Sequence, residues 1–209
     1  MKMFPFMLKQ EEAFLKGEAD AWFNRNFHKM EKPDDEIAQL VVKLWSRGDI
    51  LEYGCANGWR LEQIRLKTGA ECYGCDPSRA AIEAGAIRFP SLHFRVGTAR
   101  EPYGECGIII YGFCLYLCEP NHLSQIVSTG DYALMDGGYL IIHDFDPDHP
   151  HCVPYKHLDD AYSYKMDYSK LWLANPAYSL VKKIKPDKDT AIWVLKKDLS
   201  AGWPVEDLK

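Results

Sequence analysis

The sequence lacks any apolar run that reaches the roughly 18 residues needed for a helix to span a membrane. It also lacks the pattern of a secretory signal peptide, because its first residues, MKMFPFMLKQEE, become acidic too early. Together, these two absences predict a cytoplasmic protein without a membrane span.

An excess of basic residues is missing as well. Lysine and arginine number 25 against 30 aspartates and glutamates, which gives a formal net charge of −5. This balance gives no electrostatic reason to expect a nucleic-acid partner.

The cysteines lack the pattern of a disulfide framework, since there are seven of them, an odd number. Cys72 and Cys75 have the spacing of half a zinc or redox motif. They fall in a segment that resembles a strand, where residues three apart point to opposite faces, and no second CxxC completes a ligand set. The pattern therefore favours reduced thiols without zinc.

At 209 residues, with 47% hydrophobic side chains, the chain is long enough for one large domain. Strand-like segments alternate with helix-length segments, which predicts a mainly parallel sheet covered by helices on both faces. The last two strands are joined by a short turn and should form a C-terminal antiparallel hairpin. The seven predicted strands are residues 49–53, 71–75, 92–96, 107–111, 138–144, 177–184 and 190–197.

We divide the α/β chain into three parts. Residues 1–46 are predicted to form an N-terminal helical cap with a helix over residues 8–23. Residues 47–200 are predicted to form the main domain. Residues 144–165 are an insertion within that domain, and residues 201–209 are a C-terminal tail. The insertion is long for a connection, and loops of this kind often form ligand sites or lids.

The segment ILEYGCANG, residues 50–58, joins the first strand to a helix through a glycine-containing turn. Such a turn lets the backbone approach a ligand and directs free amides toward it. In the dinucleotide pattern GxGxxG the three glycine positions would be Gly54, Ala56 and Trp59, so only one fits. This disfavours NAD as the cofactor.

The same segment resembles motif I, E/D-x-G-x-G-x-G, of the class I S-adenosylmethionine (SAM)-dependent methyltransferases, with Ala56 at the central glycine. The resemblance spans about residues 40–197 and implies a Rossmann-like seven-stranded fold with SAM as cofactor. It further implies that Glu52 helps to hold the cationic methionine end. The residues expected around that end are Glu52, Gly54, Ala56, Asn57 and Gly58.

Further positions agree with this resemblance. Asp76, which precedes Pro77 and lies 22 residues after Gly54, matches the acidic residue that binds the ribose hydroxyls. The turn GTAREPY resembles the adenine-binding turn, which implies a role for Thr98 and Ala99. Additional cofactor contacts are expected from Tyr111, Arg25 and Asn26.

The segment YGFCLYLCEP, residues 111–120, lacks the (D/N/S)PP(Y/F) motif of enzymes that methylate planar amide or base nitrogens. It resembles the corresponding turn of small-molecule methyltransferases associated with bacterial surface-sugar biosynthesis. WFNRN, residues 22–26, is similar to an R-N element in their N-terminal cap. These resemblances imply a small-molecule or carrier-linked sugar acceptor.

HDFDPDHPH, residues 143–151, begins at the carboxyl end of the fifth predicted strand, where ligands bind in open α/β sheets. We predict that His143 or Asp144 acts as the base or orients the acceptor. The predicted acceptor-side residues are Tyr116, Asp146, His149, His151, Tyr155 and His157. Alternatively, the aspartates cap local amides and the histidines are solvated, or the segment binds a divalent ion. The prolines stiffen the segment, so we assign no metal.

The sequence therefore predicts a SAM-dependent methyltransferase that modifies a small molecule or carrier-linked sugar at oxygen. One alternative is a non-catalytic protein of the same fold that binds a partner. Another is a methyltransferase that acts on a protein or a tRNA. The oligomeric state is not predicted.

Overall fold

The structure is a computed structural model that describes residues 10–204. Its N-terminal part is helical and consists of α1 (Gln10–Ala13), a π-helical turn (Phe14–Glu18) and α2 (Ala19–Met30). Gly17, at φ 149°, introduces a kink in the π-helical turn. The sequence predicted one helix over residues 8–23. The first two of these lie outside the described residues, and the helical segment continues to Met30.

The first half of the sheet alternates strands with helices. Asp35 begins α3 and Ser78 begins α5, each by accepting a hydrogen bond from the backbone N–H three residues later. The elements are α3 (Glu36–Leu44), β1 (Asp49–Tyr53), α4 (Trp59–Thr68), β2 (Cys72–Asp76), α5 (Arg79–Arg88), β3 (His93–Val96) and β4 (Cys106–Gly112).

The second half adds the antiparallel elements. Two short 3₁₀ turns, Leu115–Leu117 and Pro120–His122, lead into the next helix. The remaining elements are α6 (Leu123–Ala133), β5 (Leu134–Phe145), β6 (His151–Pro154), β7 (Tyr162–Lys165), α7 (Ser169–Leu173), β8 (Tyr178–Ile184), β9 (Thr190–Lys197) and α8 (Leu199–Gly202).

Seven strands form one sheet in the order β3-β2-β1-β4-β5-β9-β8. The first five are parallel, whereas β9 is antiparallel to both β5 and β8. This confirms the predicted fold class, including the C-terminal hairpin. Strand order reverses between β1 and β4, and ligands bind beyond the carboxyl ends of the strands at such a point.

Buried side chains form a core on each face of the sheet. On one face, α3, α4 and α5 pack on isoleucines such as Ile108, Ile110 and Ile192. On the other, α6 and α7 pack on Ile109 and Trp193 among others. Because successive strand residues point to opposite faces, an unbroken apolar run serves both cores.

The region predicted as an insertion contains regular structure. β5 runs on to Phe145 because Asp144 and Phe145 pair with Ala191 and Thr190 of β9. β6 and β7 then form a separate two-stranded antiparallel sheet. Of the predicted tail, residues 201 and 202 belong to α8, and residues 205–209 lie outside the described residues.

Between residues 10 and 204, no helix has both the length and the apolar character required to cross a membrane.

Candidate active site

A cavity of about 640 Å³ lies at the carboxyl ends of the parallel strands, within the usual size range of small-molecule sites. Its floor comes from the turns after β1, β2, β3 and β4 and from the end of β5. The N-terminal helices form one wall through Phe14, Trp22 and Met30. The turn between β8 and β9 adds Asp187 and Thr190 on another side.

The glycine-containing turn after β1 has three residues with positive φ. Gly54 and Gly58 have φ of 73° and 75°, and Ala56 between them has φ of 49°. A Cβ on Gly54 would lie 2.7 Å from the Cβ of Cys114, so only glycine fits there. Gly54 and Ala56 line the cavity, whereas Asn57 is buried and donates to Glu31 Oε1 at 3.3 Å. The turn therefore needs left-handed backbone at a residue that has a Cβ.

Asp76, at the end of β2, braces this turn. Its Oδ2 accepts a hydrogen bond from the amide of Ala56 at 2.9 Å, and its Oδ1 accepts one from the amide of Ser78 at 2.8 Å. Burial raises the pKa of Asp76 to about 6 against these two hydrogen bonds. Asp76 and Pro77 line the cavity, so the predicted ribose-binding carboxylate is also part of the scaffold.

Glu52 lies beneath the cavity rather than in its lining. It is fully buried, and one carboxylate oxygen pairs with Arg60 Nη1. Arg60 also donates from Nε to Asp35 Oδ1 at 2.8 Å. Burial raises the pKa of Glu52 to about 7, although the charge of Arg60 opposes the shift. Arg60 and Asp35 line the cavity, so this triad presents one cation and one carboxylate to a ligand.

The predicted adenine-binding residues Thr98 and Ala99 both line the cavity, next to Gly97. Tyr111 does not. Its ring is buried in the core between the sheet and helices α6 and α7. There it stacks on the ring of Tyr53, with 5.3 Å between the ring centroids. This position does not fit the prediction of a cofactor contact from Tyr111.

Arg25 and Asn26 also lie outside the cavity lining. Arg25 pairs with Glu18 at 2.5 Å and donates to the Tyr155 hydroxyl at 3.2 Å. Asn26 donates to the carbonyl oxygen of Trp22 at 2.8 Å. These bonds tie Arg25 to the N-terminal cap and to Tyr155, and Asn26 to the cap, so these positions do not fit the predicted cofactor contacts. From the same segment, Trp22 lines the cavity.

His143, near the end of β5, lines the cavity beside Phe113. The two rings lie 5.1 Å apart. Burial and, to a lesser extent, the positive charge of Arg60 lower the pKa of His143 to about 4. His143 Nδ1 has no hydrogen-bond partner among residues 10–204. At neutral pH the imidazole is therefore uncharged.

Asp144 points away from the cavity, because neighbouring strand residues face opposite sides of the sheet. It is fully buried and accepts hydrogen bonds from the amides of Phe145 at 2.8 Å and Tyr116 at 3.2 Å. Burial raises the pKa of Asp144 to about 7. Asp144 thus holds the 3₁₀ turn after β4, and this position does not fit the predicted catalytic role. Tyr116 is part of that turn, and it does not line the cavity.

The other predicted acceptor-side residues do not line the cavity either. Asp146 forms ion pairs with Lys183 and Lys185 at 2.9 and 3.0 Å. The chain after β5 turns away into the β6–β7 sheet, which leaves these side chains on the outer surface or in contact with the N-terminal cap. They are His149, His151 and His157, which are exposed, and Tyr155, which contacts Glu18.

Within the described part of the chain, no group of three or more histidine, cysteine, aspartate or glutamate side chains could hold a metal ion.

Sequence reasoning missed several cavity residues. Phe14, Trp22 and Met30 lie on helical segments, where their spacing indicates only an apolar face. Arg60 could have been suspected, since it lies two residues after Gly58, at the end of the glycine-containing turn. Phe113 had no signal beyond its place after β4.

Comparisons with known proteins give a consistent result. A family model described as "Methyltransferase domain" matches residues 23–187. No curated protein sequence gives a significant match.

Several solved structures resemble most of the chain. A crystal structure of 1,6-didemethyltoxoflavin-N1-methyltransferase from Burkholderia thailandensis contains 1,6-didemethyltoxoflavin and S-adenosylhomocysteine (SAH). It has a TM-score of 0.73 at 14% identity and covers 93% of this chain and 92% of that one. A SAM-dependent methyltransferase from Clostridium acetobutylicum has a TM-score of 0.62 at 11% identity, covering 88% and 99%. A TehB-like SAM-dependent methyltransferase from Corynebacterium glutamicum has a TM-score of 0.61 at 16% identity, covering 90% and 100%. At these identities the likeness shows the fold alone.

Proposed function

The chain belongs to the methyltransferase-domain family, and from this premise we propose that it is a cytoplasmic enzyme that methylates a small molecule. SAM is the methyl donor of this family and supplies an electrophilic methyl group on a sulfonium. We propose a small molecule as the acceptor and an oxygen as the atom that receives the methyl group.

The cavity residues fit SAM. The donor carries a cationic ammonium and a cationic sulfonium, and the cavity is lined by carboxylates that include Asp35 and Asp76. Gly54 lines the cavity with backbone alone, because the Cys114 side chain occupies the place that a Cβ would need. Asp76 would hold the ribose hydroxyls, and Thr98 with Ala99 would contact the adenine. Glu52 would act indirectly, because its carboxylate is buried against Arg60.

The observation that carries the proposal is the single cavity shared by these residues and His143. The N-terminal helices wall the cavity through Phe14, Trp22 and Met30. A site enclosed in this way suits an acceptor that enters whole, rather than a residue of a folded protein or a tRNA. The net charge of −5 also disfavours a polyanionic acceptor.

His143 is the candidate base. Methyl transfer depends mostly on positioning, and a base is needed when the acceptor must lose a proton. A neutral imidazole can accept that proton, and His143 lines the cavity. Oxygen is our predicted acceptor atom. Nitrogen is the alternative, which the name of the Burkholderia relative raises because that enzyme methylates N1.

Calorimetric titration tests the cofactor assignment. We expect saturable binding of SAH to the purified protein and no binding of NAD in a parallel titration. Binding of NAD, or absence of SAH binding, would contradict the assignment of the glycine turn.

The acceptor class is tested with radiolabelled SAM. The protein is incubated with a small-molecule extract, and separately with protein and tRNA fractions. We expect the labelled methyl group to appear in the small-molecule fraction. Label confined to protein or tRNA would overturn the small-molecule proposal, and SAH binding without any transfer would favour a non-catalytic protein.

The role of His143 is tested by His143→Gln in the same assay. We expect unchanged SAH affinity and transfer slowed by about 10²-fold or more, the usual contribution of a general base. His151→Gln is the control, since His151 is exposed outside the cavity. Full activity of His143→Gln would remove His143 as the base.

A further inference from the structure

Phe113, the first residue after β4, has a backbone conformation that large side chains rarely adopt. Its φ is 58°, in the left-handed region that glycine and asparagine prefer. The conformation is held by a hydrogen bond from the Phe113 amide to the carbonyl oxygen of His143 at 2.9 Å. Strained residues of this kind concentrate at functional sites, because the surrounding structure must maintain them.

Three neighbouring rings fix the orientation of the Phe113 side chain. Its centroid lies 4.9 Å from that of Tyr116 and 5.1 Å from those of His143 and Phe145. Of these neighbours, only His143 also lines the cavity. The strained backbone thus carries a rigid aromatic surface to the side of the candidate base.

The segment after β4 that carries Phe113 offers few strong hydrogen-bonding side chains to the cavity. Its other lining side chains are Cys114, Leu117 and Cys118. The charged lining residues, among them Arg60, Asp35 and Asp187, belong to other elements of the cavity. Thiols are weak donors and acceptors, so the several hydroxyl groups of a saturated sugar would lose water without gaining partners here.

We propose that Phe113 selects a planar, unsaturated ring as the acceptor, packed on its side chain with an ionisable N–H or O–H directed to His143. Aromatic rings pack favourably at centroid distances of 4.5–7 Å, whereas a saturated ring lacks the flat π face. This inference rests on the proposed methyltransferase function and narrows its acceptor to a chemical class. It departs from the sugar acceptor that the sequence resemblance implies.

Matched probes test the inference on the SAH-loaded protein. Salicylate is compared with cis-2-hydroxycyclohexanecarboxylate, and 2-naphthol with decahydro-2-naphthol. The two members of each pair carry the same charge at neutral pH and differ in the planarity and unsaturation of the ring. Methyl α-D-glucopyranoside serves as the sugar probe. Dissociation constants are measured by ligand-observed NMR. We expect the planar member of each pair to bind about fivefold more tightly, and the sugar to bind more weakly than either.

Phe113→Leu should abolish the preference for the planar member. Leucine keeps an apolar side chain in the same left-handed conformation, so backbone strain stays the same and only the aromatic face is lost. Phe145→Leu is the matched control, because Phe145 packs on Phe113 but does not line the cavity. It should retain the preference even if it lowers the stability of the fold.

Equal binding of the two members of each pair would overturn the inference. So would tighter binding of the sugar, absence of binding by any planar probe, or a full preference in Phe113→Leu. SAH binding is measured first on each protein. Failure of the wild-type protein to bind SAH would contradict the proposed function instead, so the two failures are distinguishable.

Discussion

At the scale of single residues, Asp76 has two tasks that a point mutation cannot fully separate. It is the candidate ribose ligand, and it accepts hydrogen bonds from the amides of Ala56 and Ser78. Because these two hydrogen bonds hold the Asp76 carboxylate in place before the ligand arrives, the turn needs little rearrangement when the ligand binds.

Asp76→Asn should therefore lower both SAH affinity and the stability of the ligand-free protein. Asparagine has one oxygen and one NH₂ group where aspartate has two oxygens. The NH₂ group would face the backbone N–H of Ala56 or Ser78, so that hydrogen bond is lost and the N–H is left without an acceptor. We expect the free energy of unfolding to fall by about 1–3 kcal/mol. Urea denaturation and SAH titration measure the two effects. Asp148→Asn, an exposed change elsewhere, should alter neither, and an effect on SAH affinity alone would show that Asp76 does not brace the turn.

Ala56 allows a test of the left-handed backbone. Ala56→Gly should relieve about 1–2 kcal/mol of backbone strain. Two losses offset this gain: a buried methyl group worth about 0.8 kcal/mol is removed, and the unfolded chain gains conformational entropy. We expect a net change within about 1 kcal/mol. Ala56→Val places a β-branched residue in the same conformation against Phe23 and should destabilise the fold by at least about 2 kcal/mol.

Urea denaturation of both variants checks this pair of predictions. A valine variant as stable as the wild type would mean that the turn can relax out of the left-handed conformation.

Residue types and spacing could predict that Gly54, Asp76, Thr98 and His143 lie together, because a glycine turn and strand ends have recognisable patterns. They could not predict which other polar residues reach the cavity. Asp144 was assigned beside His143 although the two must face opposite sides of a strand, and strand parity alone would have separated them.

At the scale of elements, the N-terminal helices are attached to the sheet domain by a few specific bonds. The buried Gln10 side chain donates to the carbonyl oxygens of Leu117 and Tyr162 at 2.7 and 2.9 Å, and accepts from the Tyr162 amide at 2.8 Å. Asp20 accepts from the Ser78 hydroxyl at 2.7 Å and the Ala80 amide at 3.0 Å, at the start of α5. These bonds join the cap to the post-β4 turn, to β7 and to α5.

Gln10→Ala should loosen the cap without unfolding the sheet. The buried carbonyl and amide groups that lose their partner favour local opening by about 1–3 kcal/mol. Hydrogen exchange of residues 10–30 should then accelerate while that of β1 stays unchanged. SAH affinity should fall, because Phe14 and Trp22 line the cavity. The exposed Gln39→Ala is the control, and uniform acceleration across β1 as well would contradict a locally attached cap.

The alternation of strands and helices made the sheet predictable from apolar segments and turn residues. The β6–β7 sheet was not predicted, because its four-residue strands carry no clear alternation of buried and exposed positions. The continuation of α2 to Met30 was missed for a similar reason. Residues 24–29 are mostly exposed and polar, so contacts of its few apolar residues with Ala56 and α5 decide its length.

At the scale of the whole molecule, buried ionisable groups make stability depend on pH. The folded protein disfavours protonated His143, whose pKa is about 4 against an ordinary 6.5. The contribution of His143 to the free energy of unfolding is fully present above about pH 6.5 and is lost as the pH falls toward 4. Burial raises the pKa of Glu52, Asp76 and Asp144, so their contribution changes in the opposite direction and is lost as the pH rises through about 6 to 7.

His143→Gln isolates one of these contributions, because glutamine does not titrate. The free energy of unfolding of the variant minus that of the wild type should rise by about 2 kcal/mol when the pH is lowered from 7 to 5. Urea denaturation at both pH values measures the difference. His149→Gln, at an exposed position, should show no such gain. An unchanged difference for His143→Gln would mean that His143 is not held in its uncharged form.

The cavity walls come from opposite ends of the described chain, since Phe14 lies on one side and Thr190 on another. During synthesis on the ribosome, the nascent chain cannot complete this cavity until β9 has left the exit tunnel and paired with β5. Until then β5 presents an open edge, and the side of the cavity that Thr190 lines is missing. The exposed strand edge and the incomplete cavity therefore belong to the same stage of synthesis, and the pairing of β9 with β5 ends both.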